Sequence, residues 1–226
     1  KVKAREYFCE KVAGGEKYLV KQYGVYSTVD EINFEELPNE FVLKSNFGSG
    51  KQIIVRDKSK INIEETKNEL KTWLDKKTNH YYNYFEYGYK DIEPYIVCEE
   101  FLNFEHKLEF FCFNGEPKFF WIVLNDKTAH TQANFYELDW TQMPLYNHYP
   151  NFEQKIEKPV CYEEILENAK KMCGDFPFVR CDFYVTKDSY RFSEMTFFHW
   201  AALDKFTPQK YDRIFGDMMK LPIESK

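Results

Sequence analysis

The segment Phe176–Phe198, FPFVRCDFYVTKDSYRFSEMTFF, restricts the fold more than any other stretch of the chain. Apolar and polar residues alternate over Phe178–Thr186 and again over Tyr190–Phe197, the period-two signature of half-buried strands. Lys187-Asp188-Ser189 between them supplies a turn. Alternation puts Arg180 and Asp182 on one face of the first strand, and Glu194 and Thr196 on one face of the second. A hairpin therefore gathers one guanidinium, two carboxylates and a hydroxyl over a single patch flanked by Phe, Val and Tyr. Two carboxylates on a mostly apolar sheet repel each other unless a cation lies between them. An arginine two residues from one of them suits a further anionic group such as a phosphate. An edge hairpin with a solvated polar face carries the same pattern, so the rest of the chain has to decide.

At 226 residues the chain can bury a sizeable core, as one large domain or two small ones. Its net charge of −6 excludes the broad basic face of a non-specific nucleic-acid binder. No apolar run reaches the roughly 18 residues of a membrane span, and no charged-then-apolar signal segment opens the chain. The six cysteines form no C-x-x-C, and most lie in apolar runs such as IVCEE and FFCFNG. That pattern suits buried free thiols in a reducing compartment, so a cytoplasmic address is expected. The sequence opens abruptly on a charged helical pattern, and a segment preceding Lys1 is expected.

Taken in order, Lys1–Glu16 reads as a helix stopped at Gly14-Gly15, followed by a short strand near Tyr18–Tyr26. Phe41–Lys44 and Gln52–Asp57 read as strands on either side of the small-residue loop Ser45–Gly50. Asn62–Lys77 is an amphipathic helix with Asn62 as its cap. Thr78–Tyr89 has no clear period. Tyr95–Cys98 is a buried strand. Leu108–Phe113 and Lys118–Leu124 flank Asn114-Gly115, a strong hairpin signal. Asn125–Pro159 is polar, aromatic and proline-punctuated, and is expected to be irregular. Cys161–Cys173 is a helix, and a last helix spans about Pro208–Lys220. Antiparallel hairpins interrupted by single helices define an α+β architecture.

Gly48-Ser49-Gly50-Lys51 invites a P-loop assignment, which fails. Ser45 stands where the first glycine should be, Gln52 follows the lysine, and the flanking elements are strands. A protein kinase is excluded too, because Lys44 precedes the glycine loop and neither H-R-D nor D-F-G occurs. What survives is Lys44 at a strand end, followed at once by a loop that can offer backbone N–H groups. That combination suits a polyphosphate.

The phrases DEINFEELPNEFVLKSNFGSG, IVCEEFL, FFCFNGEPKF, NFYELDW, FPFVRCDFY, EMTF and GDMMKL follow one another in an order that resembles the ATP-grasp superfamily. More narrowly, the chain resembles the TupA-like ATP-grasp family of bacterial surface-polysaccharide biosynthesis, from about Lys3 to Leu221. The resemblance implies two α+β subdomains with antiparallel sheets gripping ATP. Residues 1–40 would be a helix and linker leading in, 41–98 the small subdomain with its glycine flap, and 99–226 the large subdomain with the metal site. Lys44 would contact ATP phosphates, and Gly48, Ser49 and Gly50 would close over them. Glu99, Glu100, Phe101 and Leu102 resemble the hinge that reads adenine and ribose, and Glu109 an acidic residue on the ribose. Arg180 would meet the transferred phosphoryl group, while Asp182 and Glu194 would hold Mg²⁺ or Mn²⁺. Lys1 takes the place of an early ATP-grasp lysine.

The implied activity is an ATP-dependent carboxylate–amine ligase forming an amide through an acyl-phosphate. Its carboxylate would belong to a uronic acid of a surface glycan or capsule precursor, and its amine would be a small molecule. Thr196 stands where the superfamily usually has Asn, Lys127 where the family often has Arg, and His199-Trp200-Ala201-Ala202 where it often has a glycine-rich turn. These departures leave two alternatives open: a nucleotide-binding module of a glycan-assembly complex without turnover, and a carbohydrate-binding β domain. His106, His130, His148 and His199 are candidates for a general base by residue type alone.

Overall fold

Helix α1 (Val2–Lys11) carries Phe8 fully buried, and Phe8 and the following Val12 join the core of the second of two units into which the chain divides. The computed structural model describes residues 1–48 and 50–221. Lys1–Val2 and Val20–Asn103 form the first unit, and Lys3–Leu19 with the chain from Phe104 onward forms the second. The division therefore falls after Asn103 and not at 98/99. The first forty residues are not a separate lead-in either, because their apolar side chains are claimed by the two cores.

In the first unit, β1 (Gln22–Tyr26), β2 (Phe41–Ser45), β3 (Gln52–Val55) and a fourth strand, β4 (Ile96–Glu100), make an antiparallel sheet in the order β1-β4-β2-β3. β2 and β3 are the expected hairpin, with Lys44 opposite Gln52. Helix α2 (Ile63–Trp73) is capped by Asn62, whose Oδ1 accepts the Glu65 N–H at 3.2 Å. It buries Leu70 and Trp73 against Phe41, Leu43, Val55, Ile96 and Cys98. The stretch without a clear period contains one short helix, α3 (His80–Tyr84), capped by Asn79.

The second unit is built on β5 (His106–Phe113), β6 (Glu116–Leu124), β7 (Gln132–Glu137), β8 (Phe178–Val185) and β9 (Tyr190–Thr196). Its antiparallel order is β7-β6-β5-β8-β9. Asn114 and Gly115 take φ of 50° and 83° between β5 and β6, the left-handed pair that a two-residue hairpin requires. Helix α4 (Tyr162–Cys173) and α1 cover one face, where Leu108, Phe110, Cys112, Phe120, Ile122, Cys181 and Phe183 point. Helix α5 (Lys210–Gly216) places Tyr211 and Phe215 on the other, against Phe111, Phe113, Phe119, Trp121 and Phe135. α5 is shorter than the helix expected over 208–220. β7 lies inside the stretch expected to be irregular, and its Ala133, Asn134, Phe135 and Tyr136 are all buried, so no alternation marked it. All six cysteines are free thiols.

Candidate functional site

The Phe176–Phe198 hairpin has the register that its alternation implies. Arg180 stands opposite Thr196 and Asp182 opposite Glu194 across β8 and β9. On the other side of β8, Glu109 of β5 stands opposite Asp182. Strand alternation then brings Lys107, Glu109, Arg180, Asp182, Glu194 and Thr196 to the same sheet face as Phe111 and Trp121. Lys107, Glu109, Arg180 and Asp182 are 3, 3, 9 and 0 % exposed. Charges at that depth persist only when paired and hydrogen-bonded.

The pairing is dense. Arg180 Nε and Nη2 donate to the two oxygens of Asp182 at 2.8 and 2.7 Å, a fork-to-carboxylate bond. Nε also lies 3.0 Å from Glu109 Oε2, and Nη2 reaches Thr196 Oγ1 at 3.3 Å. Glu109 receives Lys107 Nζ at 2.6 Å and the Trp121 indole N–H at 2.5 Å. Asp126 lies 3.6 Å from Lys107. Arg180 Nη1 donates to His199 Nδ1 at 2.7 Å, and His199 Nε2 meets Asn147 Oδ1 at 2.9 Å. Because a guanidinium only donates, the His199 proton is on Nε2 and the ring is neutral. Burial, then Arg180 and His148, hold His199 well below the usual histidine range.

The carboxylates titrate apart. Burial would raise Glu109, but Arg180 and Lys107 outweigh it and hold it below its ordinary value. Burial lifts Asp182 to about 7 against the pull of Arg180, with Glu109 adding to the rise. Burial works against Lys107 as an ammonium, and Asp126 and Glu109 nonetheless keep it well above its ordinary value. Within the buried cluster Glu109 and Asp182 face Lys107 and Arg180, and the half-buried Asp126 and Glu194 add carboxylates at its edge. A face of hard carboxylate oxygens fits a divalent magnesium-type cation, not a soft one.

Two of the expected residues are engaged within their own sheet. Glu109, expected on a ribose, has its oxygens engaged by Lys107, Trp121 and Arg180, because its strand register sets it against Asp182. Arg180, expected on a phosphoryl group, here grips carboxylates of its own sheet, since residues two apart on a strand are neighbours on one face. Lys107, Trp121, Asp126, Asn147 and the contact of His199 with Arg180 were not foreseen from sequence.

The other expected residues belong to the first unit. Lys44 on β2 and Glu99 on β4 are diagonal neighbours, as Lys44 pairs with Val97 and Val42 with Glu99. Lys44 Nζ donates to Glu99 Oε2 at 2.6 Å. Gly48 and Gly50 both have φ of 82°, a backbone that favours glycine, and Ser49 lies outside the described residues. A Cβ on Gly48 would come within 2.4 Å of the His80 ring. The start of the loop is anchored, not loose: Phe47 is 1 % exposed, and Asn46 bonds Glu93 O and the Tyr95 N–H. Lys1 Nζ donates to Gly48 O at 2.8 Å. Glu100 is exposed and gives its backbone N–H to Lys21 O. Phe101 lies under the Arg56 guanidinium at 3.6 Å, and Leu102 is half-buried.

Two antiparallel sheets with this element order define the ATP-grasp fold. The D-alanine–D-alanine ligase of Bacillus anthracis complexed with ATP superposes with a TM-score of 0.50 at 15 % identity, over 96 % of this chain and 64 % of that one. The ATP-grasp ligase PsnB complexed with minimal precursor gives 0.49 and 10 %, over 99 % and 57 %. N5-carboxyaminoimidazole synthetase of Staphylococcus aureus gives 0.46 and 12 %, over 86 % and 42 %. The chain thus spans less than two thirds of the length of each of these structures. The chain belongs to the TupA-like ATPgrasp family, whose sequence profile matches residues 1–220. No curated protein matches it. No helix among the described residues is long and apolar enough to cross a membrane.

Proposed function

We propose that this chain is the nucleotide-binding and catalytic part of an ATP- and Mg²⁺-dependent carboxylate–amine ligase. Its carboxylate is a hexuronic acid of a bacterial surface glycan or capsule, or of the nucleotide-sugar precursor, handled in the cytoplasm. The observation that carries the proposal is the gathering of carboxylates on the β5-β8-β9 face, where Asp182 stands opposite Glu109 on one side and Glu194 on the other. Membership of the family supports the same reading.

Asp182 and Glu194 would hold the ion, with manganese able to replace magnesium. When bound, Mg²⁺ with ATP neutralises charge on the phosphates during transfer. Lys44 binds phosphate oxygens, Gly48, Ser49 and Gly50 cover them from water, and Glu99 to Leu102 bind adenine and ribose. A substrate carboxylate oxygen attacks the γ-phosphorus, the bond to the β,γ-bridging oxygen breaks, and ADP leaves. Arg180 stabilises charge on the transferred phosphoryl group. The amine nitrogen then attacks the acyl-phosphate carbonyl carbon, the C–N bond forms, and phosphate departs with the electron pair of the C–O bond.

The test is Mg²⁺-dependent ADP release over a panel of uronic acids and amines, for the wild type and for Asp182→Ala and Glu194→Ala. Both variants are expected to lose it, and wild-type activity in either removes that residue from the metal site. A second reading, nucleotide binding without turnover, is favoured by one observation: both Asp182 oxygens are already held by Arg180. ATP binding with no ADP formed over the whole panel would select it.

A further inference from the structure

We infer that His148, oriented by Asp204, is the base that takes a proton from the attacking amine; this rests on the ligase reading above. His148 Nδ1 lies 2.5 Å from Asp204 Oδ2, and their side chains are 40 and 38 % exposed, open to a substrate. A carboxylate only accepts, so Nδ1 carries a proton, and in the neutral ring the lone pair is then on Nε2. This is the arrangement that makes a histidine a directed proton acceptor.

The surroundings hold that ring in place. Trp200 stacks on it at 3.7 Å between centroids and 21° between planes, and Tyr149 meets it edge-on at 4.8 Å. The backbone beneath is strained in a way that regular packing does not require. His148 has φ of 59°, and Trp200, Ala201 and Ala202 have 48°, 53° and 57°, left-handed values at four residues that are not glycine. Such runs persist where a side-chain geometry is fixed for use. The Trp200 Nε1–H is buried without a partner, a donor still to be satisfied beside the same ring.

The pair is joined to the charged cluster by a short path. Asn147, the residue before His148, bonds His199, and His199 bonds Arg180. The titratable groups facing His148 are Asp204, the Tyr149 phenol and the neutral His199. Elsewhere the histidines named by type fare worse. His199 has both nitrogens engaged, and His106 is 6 % exposed on the β5 strand. Exposed His130 has no carboxylate partner among the described residues.

In the step, an alkylammonium substrate gives one proton to His148 Nε2, and the resulting imidazolium is balanced by Asp204. The freed amine attacks the acyl-phosphate carbonyl, and its second proton leaves with the departing phosphate. Hydroxylamine, already neutral near pH 7, needs no such base. The experiment therefore supplies ATP, Mg²⁺ and UDP-glucuronic acid with either ethanolamine or hydroxylamine, to the wild type, His148→Gln and Asp204→Asn. The ratio of amide to hydroxamate formed should fall about a hundredfold in His148→Gln. A ratio equal to wild type, or equal loss with both nucleophiles, overturns the assignment. If the wild type forms no hydroxamate, the ligase reading fails for this substrate and the ring tautomer of His148, read by nitrogen NMR, decides separately. His148 should carry its proton on Nδ1 in the wild type and lose that preference in Asp204→Asn, and a wild-type ring protonated on Nε2 alone removes the dyad.

Discussion

Replacing Arg180 with Met exposes what the buried cluster costs and what holds it. The guanidinium makes two bonds to Asp182, one to Glu109 and one to His199, all within 3.0 Å. Methionine fills much of the same volume and supplies none of them. Removing one partner of a buried ion pair typically costs about 3–5 kcal/mol, because the other charge is left uncompensated. The loss should also depend on pH, with a definite sign. Asp182 in the wild type has its folded pKa raised from 3.8 to about 7, so its contribution is full below 3.8 and gone above about 7. Arg180 pulls that value down, so in the variant it lies higher. Above pH 7 the wild type no longer loses stability through this group, whereas the variant goes on losing about 1.4 kcal/mol per pH unit. Urea unfolding followed by tryptophan fluorescence at pH 6 and 8.5 measures both quantities; Trp121 donates to Glu109 within the cluster. A deficit below about 1 kcal/mol at pH 8.5, or one constant with pH, would refute the reasoning. The paired change Arg180→Met with Asp182→Leu should recover most of the loss, since apolar side chains replace buried ion pairs at little cost.

His106 should make the fold acid-sensitive. Burial lowers it from 6.5 to about 4, so a stability contribution present above pH 6.5 is lost as pH falls towards 4. That amounts to about 3 kcal/mol, and the slope should shrink in His106→Leu, measured by urea unfolding between pH 7.5 and 5. Gly48→Ala should destabilise the first unit by about 1–3 kcal/mol, because φ is 82° and the new Cβ would meet the His80 ring. Gly50→Ala has the same φ but open space, so its smaller loss in melting temperature is the control.

The half of the site that local pattern can reach was legible in the sequence. Period two put Arg180, Asp182, Glu194 and Thr196 on one face, and the β8–β9 register bears this out. Asn114-Gly115 and Asn62 announced a hairpin and a helix start through backbone chemistry that acts within a few residues. The rest depends on which strand lies beside which. Glu109 meets Asp182 only because β5 pairs with β8 across some seventy residues of chain, and nothing near Glu109 encodes that register. Trp121 reaches Glu109 through the β5–β6 hairpin, in which they are directly opposed. Lys44 and Glu99 were both named, but their ion pair needs the β2–β4 register. β7 escaped because both of its faces are buried, which erases alternation.

The second unit's sheet is its own control for what the charged cluster is for. On the face covered by α4, β5 carries Leu108, Phe110 and Cys112, each 0 % exposed, as a strand built for stability does. On the opposite face the same strand has Phe111 and Phe113 at one end but Lys107 and Glu109 at the other, equally sealed from water. Apolar residues would fit there at less cost, and the neighbouring positions show that this chain can supply them. A crowd of carboxylates in such a place is not a device for stability, because burial and Glu109 leave Asp182 hard to ionise. It becomes favourable once a divalent cation arrives, for then each carboxylate gains what its neighbours deny it. On the ligase reading the face is tuned to a bound state, and binding of Mg²⁺ with nucleotide should stabilise the fold in proportion to the logarithm of ligand concentration.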